Sequence, residues 1–279
     1  MKYQLTLACL LAIVLMMTSC STTSKTSSSY ANINFNSTLW LQTSAEYKAN
    51  ALQTYNAAKH TIGRALQDSS WTAILEQAAN FETLPAAIIL DVDETVLDNS
   101  PFQARLVKEG VEFDPQTWDQ WVAMKTAAAV PGAVDFINQV SDKGVEVIFL
   151  TNRECMPRPG SEEECPQKLD TIENLMKAGI KTVKPDNVLL KKGQPGWTSE
   201  KSSRREFVGQ NYRVIMLFGD DLGDFLPNVK KNITAAERAS LVNTYADNWG
   251  NKWFMLSNPT YGSWLRVLDD PKSGHLKDY

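Results

Sequence analysis

Short apolar runs that end in polar residues alternate along this chain with stretches of helical periodicity. Runs of this length, rich in Val and Ile, are typical of buried parallel strands. They cover residues 86–90, 145–150, 188–190, 213–218 and 252–256. Helices are predicted between them, near 118–125, 133–143, 163–178, 201–209 and 235–249. This alternation predicts an α/β fold, a doubly wound parallel sheet, and no internal repeat interrupts it.

The residues before the first strand have a different pattern. Apolar positions recur at three- and four-residue steps, which predicts a long helix with one buried face. These positions are 47, 51, 55, 58, 62 and 66. Asp68-Ser69-Ser70 indicates a stop, and a further helix is predicted over 71–79. We therefore expect a helical region over 37–85 that packs on a core with cap insertions over 86–279.

The first residues are typical of a targeting segment. Lys2 precedes an apolar stretch over 5–17 that is shorter than the roughly 20 residues of a membrane span. Residues 1–19 are therefore predicted to be a signal peptide, with Cys20 lipidated as in a bacterial lipobox. The alternative is ordinary cleavage near Ser19, which leaves Cys20 free. Residues 20–36 begin with a Ser/Thr-rich segment and are predicted to be a flexible tether.

These features predict a protein of the bacterial cell envelope that is held at a membrane by its lipid. Ser21, rather than Asp, favours the outer membrane. In an oxidising compartment, Cys155 and Cys165 bracket a Pro/Gly loop and favour a disulfide, the alternative being two free thiols.

Composition excludes several classes of function. The net charge is −4 and no long Lys/Arg run exists, so a nucleic-acid polymer is not expected as a partner. The two histidines, His60 and His275, do not have the spacing of a zinc site. Chemistry must therefore come mainly from carboxylates, hydroxyls, Lys and Arg. Association into a homodimer is left open by the sequence.

Polar residues follow three of the predicted strands. Because the carboxyl ends of parallel strands share one edge of a sheet, these side chains are expected to converge there. They are Asp91, Asp93, Thr151, Asn152, Asp220 and Asp224. The alternative is that each polar residue merely begins a loop.

Asp91 and Asp93 stand two positions apart just after a strand, where both carboxylates can face one pocket. Two such close carboxylates repel, so either one of them is protonated or a cation lies between them. With Mg²⁺ as that cation, the pocket can accept a dianionic phosphate. Asp91 is then the expected nucleophile, forming an aspartyl-phosphate, and Asp93 the expected general acid and base. Thr95 is expected to orient the Asp93 carboxyl through its hydroxyl.

The remaining polar residues complete this hypothesis. Thr151 and Asn152 are expected to contact phosphate oxygens. Lys201, at the start of a predicted helix, is the expected cation for phosphate and Asp91, with Lys191 and Lys192 as rivals. Asp220 is predicted to bind Mg²⁺ together with the Asp91 carboxylate and the Asp93 backbone carbonyl. Asp224 is expected to hold Lys201 or a metal-bound water.

Four segments, DVDETVLDNSPF, IFLTNR, the Lys201 segment and GDDLGDF, together resemble the four motifs of the haloacid dehalogenase-like (HAD) superfamily. More closely, they are similar to the class C acid phosphatases, the bacterial lipoprotein acid phosphatase and 5′-nucleotidase family. The resemblance extends to WDQWV and to SNPTYGSW near the C-terminus. Phe102, Asp221 and Gly223 depart from the family pattern, which leaves substrate preference open.

The resemblance implies a Mg²⁺-dependent phosphatase that acts on small phosphomonoesters, including nucleoside monophosphates. It implies that Asp91 is the nucleophile, that Asp93 is the acid/base, and that Thr151 and Lys201 contact phosphate. Tyr261, with Trp118 as a second candidate, is then expected to stack on a base or an aromatic leaving group; core packing is the alternative for both side chains.

Two other functions compete with hydrolysis. The first is a binding lipoprotein that captures a nucleotide, a phosphorylated cofactor or haem without turnover. The second is another enzyme of the same superfamily, such as a phosphomutase. The intact pair of Asp91 and Asp93 argues against the first, and Thr95 together with the export signal favours hydrolysis over the second.

Overall fold

The computed structural model describes residues 30–279, with side chains from residue 34 onward. The predicted signal peptide, Cys20 and the Ser/Thr segment after it lie outside these residues. Within the described part of the chain, no helix has the length and apolar character that a membrane crossing demands.

Five parallel strands form the central sheet, and two short antiparallel strands form a separate hairpin beside it. The strands are β1 (Ala86–Leu90), β2 (Leu97–Asp98), β3 (Ala128–Ala129), β4 (Glu146–Glu154), β5 (Val188–Lys191), β6 (Arg213–Gly219) and β7 (Trp253–Met255). The sheet order is β5-β4-β1-β6-β7, and the hairpin pairs β2 with β3. All five predicted strands are confirmed.

Helices cover both faces of this sheet. They are α1 (Tyr30–Thr43), α2 (Ala45–Gln67), α3 (Ser100–Glu109), α4 (Pro115–Met124), α5 (Ala133–Asp142), α6 (Pro166–Lys177), α7 (Ser202–Gly209), α8 (Ala235–Thr244) and α9 (Ser263–Arg266). One apolar cluster joins the sheet to α2, α5 and α6, and a second joins its other face to α7 and the segment 222–229. Alternate strand residues feed the two clusters, so the predicted doubly wound α/β fold is confirmed.

The predicted tether ends earlier than expected, because α1 already begins at Tyr30. Asn34, Thr38 and Leu41 are buried, at spacings that place them on one face of this helix. That face packs against α3. Residues 30–36 therefore belong to a helix that packs on α3, which the Ser/Thr-rich composition before them does not indicate.

The helix predicted over 71–79 is wrong. This segment lies extended against β6, where the Ala73 amide donates to the Val214 carbonyl (2.7 Å) and the Trp71 indole to the Ile215 carbonyl (2.9 Å). Gln77 donates to the Gly209 carbonyl at the end of α7 and to the Tyr212 carbonyl just before β6. These tertiary hydrogen bonds replace the intrahelical ones, so local periodicity was misleading here.

The sequence interpretation missed α3. Its local signals are present: Pro101 lies in the first turn, and Gly110 ends the helix in the left-handed conformation at φ 66°. Such a start and stop are recognisable without a structure. The omission matters, because α3 begins at Ser100, within the segment DVDETVLDNSPF, and its Gln103 lines the pocket described below.

Candidate active site

The backbone after β1 places the first motif at the carboxyl edge of the sheet. The Asp91 amide donates to the Phe218 carbonyl of β6 (2.9 Å), so this residue is fixed by the sheet itself. The chain then turns, with Glu94 in the left-handed region at φ 59°. The buried Glu94 carboxylate accepts the Asn99 amide proton (2.8 Å), and burial raises the pKa of Glu94 well above its ordinary value.

Three carboxylates from distant parts of the sequence meet at this edge. Asp91, Asp220 and Asp224, here called the acidic cluster, offer oxygens that lie within 4.8 Å of one another. Burial, together with the neighbouring carboxylates, raises the pKa of Asp91 to about 7 and that of Asp220 well above its ordinary range. The predicted convergence is therefore observed, and the negative charges of the cluster repel one another.

Lys201 compensates part of this charge. Its buried ammonium forms ion pairs with Asp91 and with Asp224, the latter at 2.6 Å. The rivals Lys191 and Lys192 instead pair with Glu154, away from the cluster. The structure thus places Lys201 where the sequence hypothesis put it.

One ammonium against three carboxylates leaves the acidic cluster with excess negative charge. Buried charges of one sign are unfavourable unless a counter-charge joins them, and clustered carboxylate oxygens are the ligands that hard divalent cations prefer. The donor set therefore fits a divalent metal ion held by Asp91 and Asp220, with Asp224 adjacent. The Asp93 carboxylate is not part of this set. The sequence hypothesis likewise assigns only the backbone carbonyl of Asp93, and not its carboxylate, to the metal.

Asp93 is held by a different group of side chains. Arg153 donates to Oδ1 from Nη2 (2.8 Å) and from Nε (3.0 Å). Asn99 Nδ2 donates to the same oxygen (3.0 Å), and the Thr151 hydroxyl donates to Oδ2 (3.1 Å). Four donor atoms therefore fix the carboxyl that the sequence assigned to acid/base catalysis.

The predicted hydrogen bond from Thr95 to Asp93 is wrong. The Thr95 hydroxyl is buried without a hydrogen-bond partner in the described chain, and its carbonyl accepts the Tyr55 hydroxyl (2.7 Å). Sequence reasoning missed Asn99 and Arg153, the residues that hold Asp93 instead. Its position in the sequence could have identified Arg153, because it follows directly after Thr151 and Asn152, the two residues predicted to contact phosphate.

The two residues predicted to contact phosphate lie at different depths. Thr151 is fully buried, and its hydroxyl also accepts the Arg153 amide proton (3.0 Å). Asn152 lines the pocket, where its amide donates to the Ser199 carbonyl (3.2 Å) and its Oδ1 accepts from Arg204 (2.7 Å). Asn152 is therefore the better placed of the two to meet a ligand.

A cavity of about 420 Å³ opens above the acidic cluster. Phe113 and Trp118 line one side, here called the aromatic wall, and Tyr261 lines the cavity from the segment 258–266, here called the C-terminal wall. Both predicted stacking residues therefore reach the cavity. Trp118 also packs edge-on against Phe102 (ring centroids 5.1 Å apart), so packing and pocket lining coexist in this side chain.

The aromatic wall is tied to the loop closed by a disulfide between Cys155 and Cys165. Arg158 of this loop donates to both oxygens of Asp119 on α4 (2.7 and 2.8 Å) and to Asp170 on α6 (2.7 Å). The disulfide favoured by the sequence is present in the structure. Through Arg158, the disulfide-closed loop links α4 to α6 beside the cavity.

The C-terminal wall is tied to the loop after β6. Asn258 Nδ2 donates to the Asp220 carboxylate (2.8 Å). The Ser263 hydroxyl donates to Asp221 (2.7 Å), which also accepts the Gly223 amide proton (2.8 Å). Tyr261 is therefore positioned by the same loop that carries two members of the acidic cluster.

Comparison with known proteins agrees with this geometry. Residues 16–264 match the profile of the HAD superfamily, subfamily IIIB (Acid phosphatase), so the chain belongs to this family. The fold is similar to the crystal structure of the class C acid phosphatase from Bacillus anthracis with tungstate bound. The TM-score is 0.75 and the identity 30%, over 89% of this chain and 98% of that chain.

Two plant proteins are also similar over part of their length. Acid phosphatase 1 of Solanum lycopersicum is 31% identical over 143 residues, and the stem 31 kDa glycoprotein of Glycine max is 30% identical over 142 residues. The matches cover 50% of this chain and 51% of each relative, so the chain spans about half the length of these curated relatives.

Proposed function

We propose that this protein is a phosphomonoesterase that uses Asp91 as its nucleophile and one Mg²⁺ ion as its cofactor. The observation that carries the proposal is the acidic cluster, paired with Lys201 and lying beside the separately held Asp93. Membership in an acid phosphatase family supports it, as does the tungstate bound to the related enzyme of Bacillus anthracis. Phosphatases of the HAD superfamily generally use a divalent metal.

In the proposed reaction, an Asp91 carboxylate oxygen attacks phosphorus while the bond between phosphorus and the leaving oxygen breaks. Asp93 donates a proton to that leaving oxygen. Water then attacks the aspartyl-phosphate, Asp93 takes its proton, and inorganic phosphate leaves with Asp91 restored. A bound Mg²⁺ supplies positive charge next to the phosphoryl oxygens.

The proposed substrates are small phosphate monoesters, and among them those that carry an aromatic ring, such as the base of a nucleoside 5′-monophosphate, are expected to gain a stacking contact. Support comes from the aromatic wall and from Tyr261, which line the cavity above the acidic cluster. Replacing Tyr261 by Ala is expected to raise KM for nucleotides more than KM for small aliphatic phosphates, because only an aromatic group loses a stacking partner. Equal increases for both substrates would count against stacking.

We also propose export and anchoring through a lipidated Cys20, for which the support is the N-terminal sequence alone. The outer membrane remains the proposed location. Mass spectrometry of the protein purified from membranes tests this, since an acylated Cys20 is expected at its N-terminus. An unmodified N-terminus that starts elsewhere would contradict it.

Hydrolysis itself is tested with p-nitrophenyl phosphate and Mg²⁺. The native protein is expected to release p-nitrophenol, and Asp91→Asn is expected to reduce kcat by roughly four orders of magnitude, because an amide is a poor nucleophile. Asp186→Asn, which removes a carboxylate from the exposed surface, is the matched control. A native protein that binds phosphate without turnover would support the alternative of a binding lipoprotein.

A further inference from the structure

Gly223 lies in the turn between two members of the acidic cluster, and a second lysine fills the space beside it. A Cβ atom added at Gly223 would lie 2.2 Å from Lys230 Cε and 3.0 Å from its Nζ. The first distance is far below an ordinary contact between carbon atoms, and the second is shorter than most contacts of a Cβ atom. The absence of a side chain at Gly223 thus allows the Lys230 side chain to pass over this turn.

The Lys230 ammonium lies beside the loop after β6, which carries Asp220 and Asp224. It lines the cavity together with Asn152 and Ser199, and it donates to the Ser199 carbonyl (2.5 Å). The same carbonyl accepts the Asn152 amide proton. Lys230 and Asn152 are therefore neighbours that share the Ser199 carbonyl, which lies between β5 and α7.

Unlike Lys201, this ammonium has no carboxylate partner. Within residues 34–279, no carboxylate oxygen lies within 4.0 Å of Lys230 Nζ. An ammonium has three protons to donate, and the Ser199 carbonyl takes one of them. Burial lowers the pKa of Lys230 below its ordinary value, and the carboxylates of Asp224, Glu200 and Asp221, which lie beyond ion-pair distance, offset only part of this effect. An anion that enters the cavity would supply a close counter-charge.

We infer that Lys230 is a phosphate-binding residue, whose ammonium donates to a non-bridging oxygen of the substrate's phosphoryl group and of product phosphate. The inference rests on the proposed function for the nature of the substrate. The phosphoryl group is the favoured ligand because Lys230 lies against the turn at Gly223, between Asp220 and Asp224, and shares the Ser199 carbonyl with Asn152. Lys201 forms ion pairs with both Asp91 and Asp224, whereas Lys230 forms no ion pair within the described residues, so a ligand anion can pair with it directly.

Direct binding of inorganic phosphate tests this inference without depending on turnover. Isothermal titration calorimetry in the presence of Mg²⁺ compares the native protein with Lys230→Met, which retains an unbranched side chain over Gly223 and removes the charge. Loss of one charge-assisted hydrogen bond is expected to raise Kd by about tenfold. The matched control is Lys231→Met, on the exposed neighbouring residue, which is expected to leave Kd within about twofold.

A second variant separates the role of the charge from the folding of the loop. Gly223→Ala is expected to displace Lys230 and to weaken phosphate binding in the native background. In the Lys230→Ala background the same change is expected to have little further effect, because the atoms that it displaces are gone. Unchanged affinity in Lys230→Met, or additive effects in the double variant, would overturn the inference.

The outcomes also distinguish this inference from the proposed function. Weaker phosphate binding by Lys230→Met in a protein that hydrolyses no monoester would retain the inference and refute the activity. Normal hydrolysis by the native protein, with equal phosphate affinity in Lys230→Met, would retain the activity and refute the inference.

Discussion

Two regions of the cavity are held in place differently. The first, here called the floor, is formed by Asp91, Asp93 and the loop after β6, and the second is the aromatic wall. Asp91 and the loop after β6 are held by backbone hydrogen bonds of a parallel sheet, as in the bond from the Asp91 amide to Phe218. The helix α4, which carries Trp118, buries only Val122 fully and is held by side chains, chiefly Asp119 and Trp121. The floor is therefore held by the backbone of the sheet, whereas the wall is held by side-chain contacts, both the polar ones and the ring contact between Trp118 and Phe102.

This difference suggests a division of roles. Displacing a floor residue moves groups that contact the reacting atoms, so kcat should suffer most. Loosening the wall changes contacts with the leaving group, so KM should suffer most. The three predictions below test this division, beginning with the residue that joins the two regions.

Asn99 contacts both regions: its Nδ2 donates to Asp93 (3.0 Å) and its Oδ1 accepts the Trp121 indole proton (2.8 Å). We expect Asn99→Ala to lower kcat about a hundredfold, because a misplaced acid/base is costly for catalysis. Trp121→Phe removes only the hydrogen bond between Asn99 and helix α4, which carries Trp118 of the wall. This variant is expected to raise KM with little change in kcat. Steady-state kinetics of both variants measure this, and similar losses of kcat in the two would refute the division.

Arg158 holds the aromatic wall through Asp119 without touching the acidic cluster. Arg158→Met is expected to raise KM for p-nitrophenyl phosphate about fivefold with kcat within about twofold, because the bidentate pair with Asp119 and the pair with Asp170, both partly buried, are lost. Arg105→Met, which breaks an exposed pair with Glu109, is the matched control and should change neither constant. A fall in kcat at constant KM would show that the wall acts on the floor.

The smallest expected effect concerns stability and pH. The hydrogen bond from Arg158 lowers the pKa of Asp119, so this pair stabilises the folded state above the ordinary range of an Asp. At pH 7, the free energy of unfolding of the native protein should be higher than that of Arg158→Met by about 1 kcal/mol or less. That difference should vanish as pH falls through the lowered pKa. Urea unfolding at several pH values measures this difference in stability. A difference that grows as the pH falls would contradict the prediction.

The floor was largely predictable from the sequence because its signals are local. Each strand shows an apolar run, and Asp91, Thr151 and Asp220 occupy the positions where these runs end. Parallel strands place their carboxyl ends at one edge, so convergence followed from the fold class alone. The choice of Lys201 over Lys191 and Lys192 was settled by the structure.

What the sequence did not predict depends on distant partners. Asn99 gains its role from Trp121, 22 positions away, and Lys230 from the Ser199 carbonyl, 31 positions away. The wrong helix over 71–79 has the same cause, since that segment pairs with residues around 214. Thr95 was assigned to Asp93 from proximity in sequence, but the turn after Asp93 directs other residues to that carboxyl.

The central claim is that carboxylates from the ends of β1 and β6 bind one divalent cation together. A crystal grown with Mn²⁺, examined by anomalous scattering, tests this most directly because it locates the ion itself. We predict one Mn²⁺ ion coordinated by Asp91 and Asp220, and its loss in Asp220→Asn. An ion bound elsewhere, or a cavity that holds none while the enzyme turns over in a chelator, would contradict the account.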